Sequence, residues 1–150
     1  HQRIGVGCDP QRPEEQGEGD SIRKFESLGT RSFPTEMAIG YSLDLHNFIG
    51  TGRKQKRLHF LKNYWMEQVK DLPGIKLYTS LHADWGCAIG NFGFEGRKAV
   101  EISSLLFNKW KIHTTSIDWE KVNGVRVTPN VYTTLGELDK LVLAIREIAG

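Results

Sequence analysis

The hydrophobic pattern of the chain changes at residues 71–74, Asp-Leu-Pro-Gly. Upstream of this point, apolar residues recur at helical spacing through two segments, 34–50 and 51–70, which predicts two consecutive helices. Downstream, short strand-like runs begin, because a Pro-Gly pair interrupts a helix and favours a turn. This single change of pattern restricts the chain to a mixed domain of helices and strands that follows two helices.

Six elements are predicted after the break, in the order strand, strand, helix, strand, strand, helix. The four strands are short and rich in β-forming residues, and they are expected at 75–80, 87–94, 112–117 and 124–128. A polar turn near 118–123 separates the last two strands. The first of the two helices spans about 99–110, and the second begins with Thr134 and Glu137 at capping-box spacing. This order is typical of an α+β domain with a mostly antiparallel sheet and helices on one face.

Residues 9–20 contain Pro, Gly and acidic side chains but no apolar residue, so they are expected to form a surface loop. The remaining sequence supplies the core, because 39% of the 150 residues are hydrophobic. Three segments are therefore predicted: residues 1–33 with this loop, connecting helices at 34–74, and a small α+β domain at 75–150.

Composition excludes several classes of partner. The formal net charge is only +2, from 20 basic and 18 acidic residues, so nucleic acid is not an expected ligand. No apolar run approaches the length of a membrane span, so no membrane partner is expected.

Cys8 and Cys87 lie in unlike surroundings and are interpreted as free thiols. The five histidines show no metal-ligand spacing, so no metal site is predicted. The cytoplasm is the first expectation for the compartment.

Arg126 is a candidate for binding a carboxylate. In the strand at 124–128 successive side chains alternate between faces, so Val125 and Val127 can face the core while Arg126 projects from the other side. A guanidinium presented rigidly in this way can make two charge-assisted hydrogen bonds to a carboxylate. The alternative is an exposed strand arginine that pairs with a neighbouring helix.

Weaker signals occur at three other places. Gly29 and Thr30 precede Arg31 and a helix start, a combination that can hold a phosphate or can simply form a turn that caps the helix. His82 and Asp84 can line a cleft or belong to an ordinary loop. The basic cluster at 53–57 can bind an anion, although a cationic stripe opposite an apolar one is usually a solvated helix face.

Three stretches together resemble the class-V aminotransferases, and in particular their isopenicillin-N-epimerase-like members. The stretch 23–30 contains Phe25-Glu26 and then Gly29-Thr30, and the stretch 86–92 is similar to the opening strand of the C-terminal domain in epimerase-like members. The stretch 123–134 resembles the closing signature of the family. The resemblance covers residues 21–150 and implies the C-terminal small domain of fold-type-I enzymes that depend on pyridoxal 5'-phosphate.

The resemblance also implies roles for particular residues. Gly29 and Thr30 would contact the cofactor phosphate in the other subunit of a homodimer, and Arg126 would bind the carboxylate of an amino-acid substrate. The Schiff-base lysine of the family is not recognisable here, so no catalytic residue is assigned and the chain alone is expected to be inactive. It resembles the last third of a longer subunit, with residues 1–33 as the end of a large cofactor domain. The implied reaction is epimerisation, transamination or carbon–sulfur bond cleavage.

Two alternative functions for the chain involve no catalysis. Residues 75–150 can form a stand-alone small-molecule-binding or regulatory module, in which Arg126 binds a carboxylate without chemistry. The chain can also be an interaction domain that uses the helix containing Trp65 or the basic cluster at 53–57. As part of a longer subunit, the chain should expose apolar surface around Phe33, Tyr41 and Phe48 and should associate when expressed alone.

Overall fold

The computed structural model describes residues 32–150. The chain divides into two compact units, one that ends at Leu43 and one that runs from Asp44 to Gly150. Helix α1 (Phe33–Ile49) contains no buried residue. The predicted exposure of Phe33, Tyr41 and Phe48 is confirmed, since each side chain is at least two-thirds exposed.

Helix α2 (Thr51–Val69) begins immediately after Gly50, which has a φ of +85°. A residue with a side chain rarely adopts this backbone conformation, so a glycine at this position lets one helix end and another begin without a longer loop. The predicted helices at 34–50 and 51–70 are thus confirmed to within one residue at each end.

Four strands form one sheet in the order β1-β2-β4-β3, and every neighbouring pair is antiparallel. The strands and the two remaining helices are β1 (Ile75–Leu77), β2 (Gly90–Phe94), α3 (Ala99–Trp110), β3 (Thr115–Trp119), β4 (Val122–Val127) and α4 (Leu135–Ala149). The predicted element order and the α+β fold class are confirmed.

The first two strands are shorter than predicted because side chains replace backbone partners at their ends. The N–H of Tyr78 still donates to the carbonyl oxygen of Asn91, at 2.9 Å. The N–H of Asn91, however, donates to the hydroxyl of Thr79 rather than to a backbone carbonyl. The ladder therefore stops, and residues 78–80 and 87–89 lie outside strands β1 and β2.

The prediction of a strand beginning at residue 112 is wrong, because residues 111 and 112 complete the end of α3. Lys111 adopts a left-handed conformation with φ of +56°, and its N–H donates to the carbonyl of Phe107. The N–H of Ile112 donates to the carbonyl of Leu106 at 3.1 Å. The bond from Lys111 to Phe107 is the hydrogen bond of a helix that ends in a single left-handed residue. Strand β3 consequently begins at Thr115 and continues to Trp119, and only two residues separate it from β4.

One hydrophobic core lies between the sheet and the helices α2, α3 and α4. It contains Trp65 of α2, Phe92 of β2 and Val125 of β4, all fully buried, and the rings of Trp65 and Phe92 meet edge to face at 5.8 Å. Gly90 makes this contact possible, because a Cβ there would collide with the indole ring. Helix α2 therefore shares one core with residues 75–150.

The capping box predicted at the start of α4 is confirmed. The Thr134 hydroxyl accepts a hydrogen bond from the N–H of Glu137, and the Glu137 carboxylate accepts from the N–H of Thr134 at 2.8 Å. The backbone and hydroxyl donors of Thr134 lower the pKa of Glu137 below its ordinary value, because they stabilise the ionised form.

Candidate functional site

Arg126 projects from the face of the sheet that is opposite to the helices. Its neighbours Val125 and Val127 are buried in the core, whereas Arg126 is exposed, as the alternation of β4 predicted. Its Nη2 donates to the hydroxyl of Thr115 on β3 at 3.3 Å. Within residues 32–150 no carboxylate forms an ion pair with this guanidinium. Most of its N–H donors therefore remain available to a ligand.

Asn91 lies directly across the sheet from Arg126, on β2. The backbone N–H and C=O of Asn91 both bond toward Thr79 and Tyr78, so Asn91 and Arg126 form a non-hydrogen-bonded antiparallel pair. The side chains of such a pair are close neighbours. The Oδ1 atom of Asn91 is buried and has no hydrogen-bond partner. A row of Asn91, Arg126 and Thr115 thus crosses three strands of the sheet.

Two glycines beside this row allow the flanking side chains to lie flat on the sheet. A Cβ at Gly124 would fall well inside the contact distance of Asn91 Oδ1 and 2.7 Å from the carbonyl oxygen of Phe92. A Cβ at Gly93 would collide with the backbone of Asn123 and would lie 3.1 Å from the ring of Tyr78. The result is a flat polar surface around Arg126, which we call the open face of the sheet.

A second cation lies on the same face. Lys76 pairs with Gly93 in the sheet, and its Nζ stands 5.0 Å from the centre of the Tyr78 ring. Lys76 and Arg126 are two cations on the open face. Glu95 lines the same cavity as Lys76 and opposes its charge, so Arg126 is the cation that favours an anionic ligand.

Lys62 is fully enclosed on the helix side of the molecule. Its Nζ donates to the carbonyl oxygen of Ser80 at 2.6 Å, and the neighbouring Asn63 donates to the carbonyl of Leu81. Burial lowers the pKa of Lys62, and its electrostatic interaction with Cys87 opposes this shift. The hydrogen bonds of Lys62 and Asn63 hold the loop after β1 against helix α2, so the role of Lys62 in the fold is structural.

The other predicted site residues fall into two groups. Gly29 and Thr30 lie outside the described residues. His82 and Asp84 are both exposed and belong to one short turn, in which the His82 ring accepts a hydrogen bond from the N–H of Asp84. This contact is local and fits the ordinary-loop interpretation of His82 and Asp84.

Two kinds of feature are absent from residues 32–150. None of the helices there combines the length and apolar character that a membrane crossing requires. That part of the chain also contains no group of three or more His, Cys, Asp or Glu side chains placed to hold a metal ion.

Sequence reasoning identified Arg126 but missed Asn91 and Thr115. These three residues are distant along the chain, and only the strand register brings them into one row. The glycines at 93 and 124, each within a strand-like run, were the signals of close packing on this face.

Comparison with known proteins agrees with this architecture. The chain is 24% identical over 134 residues to isopenicillin N epimerase of Amycolatopsis lactamdurans and 24% identical over 135 residues to the enzyme of the same name from Streptomyces clavuligerus. Each alignment covers 89% of this chain and 34% of the relative, so the chain spans about a third of the length of these curated relatives. No family model matches the sequence.

A solved structure shows the same fold. Alanine–glyoxylate aminotransferase from Nostoc sp. superposes with a TM-score of 0.57 at 16% sequence identity, over 73% of this chain and 29% of that protein. The four-stranded antiparallel sheet with its helices matches the C-terminal domain of the aminotransferase. The chain therefore has a class-V aminotransferase-like fold, as its sequence motifs predicted.

Proposed function

We propose that this chain forms the C-terminal part of a class-V aminotransferase or epimerase-like enzyme that depends on pyridoxal 5'-phosphate and acts on an amino acid. In this proposal Arg126 binds the α-carboxylate of the substrate. The placement of Arg126 carries the proposal: its guanidinium stands on the open face, free of any carboxylate among residues 32–150.

The chemistry of the open face suits a carboxylate. A guanidinium presents five N–H donors in a planar fork, and Arg126 uses one of them on Thr115. The two oxygens of a carboxylate fit two parallel donors of the fork, which fixes the orientation of the bound amino acid as well as its position. Holding a substrate in one orientation is a large part of catalysis by such enzymes.

The described residues do not by themselves make a cofactor site. The amine of Lys62 is enclosed and bonded to Ser80, and Lys76 lies over the ring of Tyr78. When pyridoxal phosphate is bound, it supplies the electron sink for bond cleavage at the α-carbon of an amino acid. The alignments cover only 34% of each relative, and we propose that a large domain outside this chain holds the pyridoxal phosphate. The phosphate contact of Gly29 and Thr30 in a homodimer stays part of the proposal.

The test uses the natural gene product that contains this chain, with its mass and its visible absorbance measured first. A mass well above 17.0 kDa together with the absorbance of bound pyridoxal phosphate is expected. In that protein, Arg126→Gln should raise the KM for the amino-acid substrate about 10- to 150-fold, the factor that matches the loss of a charge-assisted hydrogen bond of about 1.5–3 kcal/mol.

Arg97→Gln is the matched control, because Arg97 is also exposed but lies outside the open face. Arg126→Lys should restore the charge and only part of the affinity, since an ammonium lacks the planar fork. Equal KM values for the Arg126→Gln and Arg97→Gln proteins would contradict the carboxylate role.

A second candidate is a stand-alone small-molecule-binding module. The observation that favours it is that residues 44–150 form one compact unit with their own hydrophobic core. This candidate predicts that the natural gene product has about the mass of the chain. It also predicts that this protein binds amino acids through Arg126 without any pyridoxal phosphate.

A further inference from the structure

A separate hollow lies where the end of α1, the first turns of α2 and the loop after β4 meet. Its volume is about 660 Å³, within the range of small-molecule pockets. The hollow is lined by Phe48, Ile49, Arg53, Lys54, Arg57, Val131 and Tyr132. None of these residues belongs to the open face that carries Arg126. We call this second feature, lined by the seven residues above, the α2 hollow.

Three of the lining side chains are cations on one helix, and no carboxylate lines the hollow. Arg53 and Arg57 are four residues apart, so they repel each other on the same helix face. Arg53 and Lys54 also lie in the first turn of α2, where the helix dipole is positive and disfavours cations. Within residues 32–150 none of them has an ion pair that would offset this cost. A bound anion would offset this unfavourable electrostatic energy.

The two guanidinium groups are held in place before any ligand arrives. Arg57 Nη2 donates to the carbonyl oxygen of Thr133 at 3.0 Å, and the guanidinium lies 5.7 Å from the centre of the Phe60 ring. Arg53 Nη2 donates to the carbonyl oxygen of Phe48 at 3.2 Å. Each guanidinium uses one N–H donor in this way. Because the two side chains are already held in place, their ordering on anion binding costs less entropy.

The rest of the hollow is apolar. Phe48 and Tyr132 are 82% and 79% exposed, although aromatic side chains of this size usually bury most of their surface. We propose that the α2 hollow binds a small anion carried on a flat apolar body, such as an aromatic carboxylate or an aromatic phosphate ester. The guanidinium groups would take the anion and the two rings would cover the apolar part. This proposal does not depend on the function of Arg126.

Amide chemical-shift titration tests the proposal, with phenyl phosphate and benzoate as probes, in the 150-residue chain carrying Met37→Glu and Tyr41→Glu, two changes outside the hollow that should suppress association through α1. We expect saturable shifts at Arg57 and Tyr132, which line the α2 hollow, and at Thr133, whose carbonyl accepts a hydrogen bond from Arg57. Inorganic phosphate should bind at least about tenfold more weakly, because it lacks an apolar body. Benzyl alcohol, which has the ring without the charge, should produce no shifts at these amides.

The matched pair of variants is Arg53→Gln and Lys56→Gln. Both remove one positive charge from α2, but Lys56 is exposed and does not line the hollow. Arg53→Gln should weaken phenyl phosphate binding about tenfold or more, whereas Lys56→Gln should leave it within about twofold. If Arg53→Gln unfolds the chain, Lys54→Gln replaces it, since the Lys54 amine makes one hydrogen bond within residues 32–150, to His46 at 3.5 Å.

Tyr132→Ala separates the two halves of the proposal. It should weaken phenyl phosphate binding but leave inorganic phosphate binding unchanged, because the ring contributes only apolar contact. Equal losses in the Arg53→Gln and Lys56→Gln proteins would overturn the proposal and indicate non-specific attraction. Shifts that disappear with Arg126→Gln would also overturn it, since they would place the anion on the open face.

Discussion

Gly93 and Gly124 determine how the side chains beside Arg126 can lie. Asn91 and Tyr78 rest against these two glycines, and neither could do so over a residue with a Cβ. The sequence predicted the direction of Arg126 because alternation within a strand is local. It did not predict the neighbours Asn91 and Thr115, because strand register depends on the whole sheet.

Gly124→Ala should destabilise the fold by about 1–3 kcal/mol, because the added methyl group collides with Asn91 Oδ1 and with the carbonyl of Phe92. Urea denaturation followed by circular dichroism measures the change. Gly136→Ala is the control, because a Cβ there meets nothing within 4 Å and a helical alanine stabilises by about 0.5–1 kcal/mol. Equal unfolding midpoints for the two variants would contradict the close packing at Gly124.

At the scale of elements, the helices were predictable and the strand ends were not. The apolar periodicity of α2 and the capping box of α4 are local signals, and both elements lie where the pattern placed them. Ile112 looked like the start of a strand because it is apolar and partly buried. Its N–H instead closes the end of α3, a contact that depends on the left-handed conformation of Lys111.

Thr134→Ala should destabilise α4 by about 1 kcal/mol at neutral pH, because it removes the hydroxyl that caps the helix. The loss should shrink in acid. The pKa of Glu137 is lowered in the folded protein, so its stabilising contribution is present above the unfolded pKa and disappears as the pH falls through the folded pKa. Urea unfolding at about pH 7 and about pH 3 compares the two conditions.

Thr128→Ala is the control for this pH dependence, because Thr128 is equally exposed but does not cap a helix. Its effect on the free energy of unfolding should be small at both pH values. A Thr134→Ala effect that is the same at both pH values would show that the Glu137 carboxylate does not take part in the cap.

At the scale of the whole molecule, α1 is the element whose apolar side chains remain most exposed. Seven of them lie between Phe33 and Phe48, and each exposes more than half of its surface: Phe33, Met37, Ile39, Tyr41, Leu43, Leu45 and Phe48. Scattered single apolar residues are normal on protein surfaces, but a concentration of this kind on one helix favours association.

The 150-residue chain should therefore self-associate as its concentration rises through the micromolar range, which sedimentation velocity detects. Changing both Met37 and Tyr41 to Glu should reduce this association, because it places two charges on the exposed helix. The matched control changes Leu105 and Leu143 to Glu, two exposed apolar residues on α3 and α4. A monomer at every concentration would contradict the expectation.

The burial of Trp65 has a spectroscopic consequence. All four tryptophans lie in the described part of the chain; Trp65 is fully enclosed, whereas Trp85 and Trp119 are 80% and 70% exposed. The indole of Trp65 lies in an apolar environment between Phe92 and Gly90, so its fluorescence is expected at shorter wavelength than that of the exposed indoles. Iodide should quench Trp85 and Trp119 first, and the emission that survives should come from Trp65, between α2 and β2, and from the half-buried Trp110 of α3.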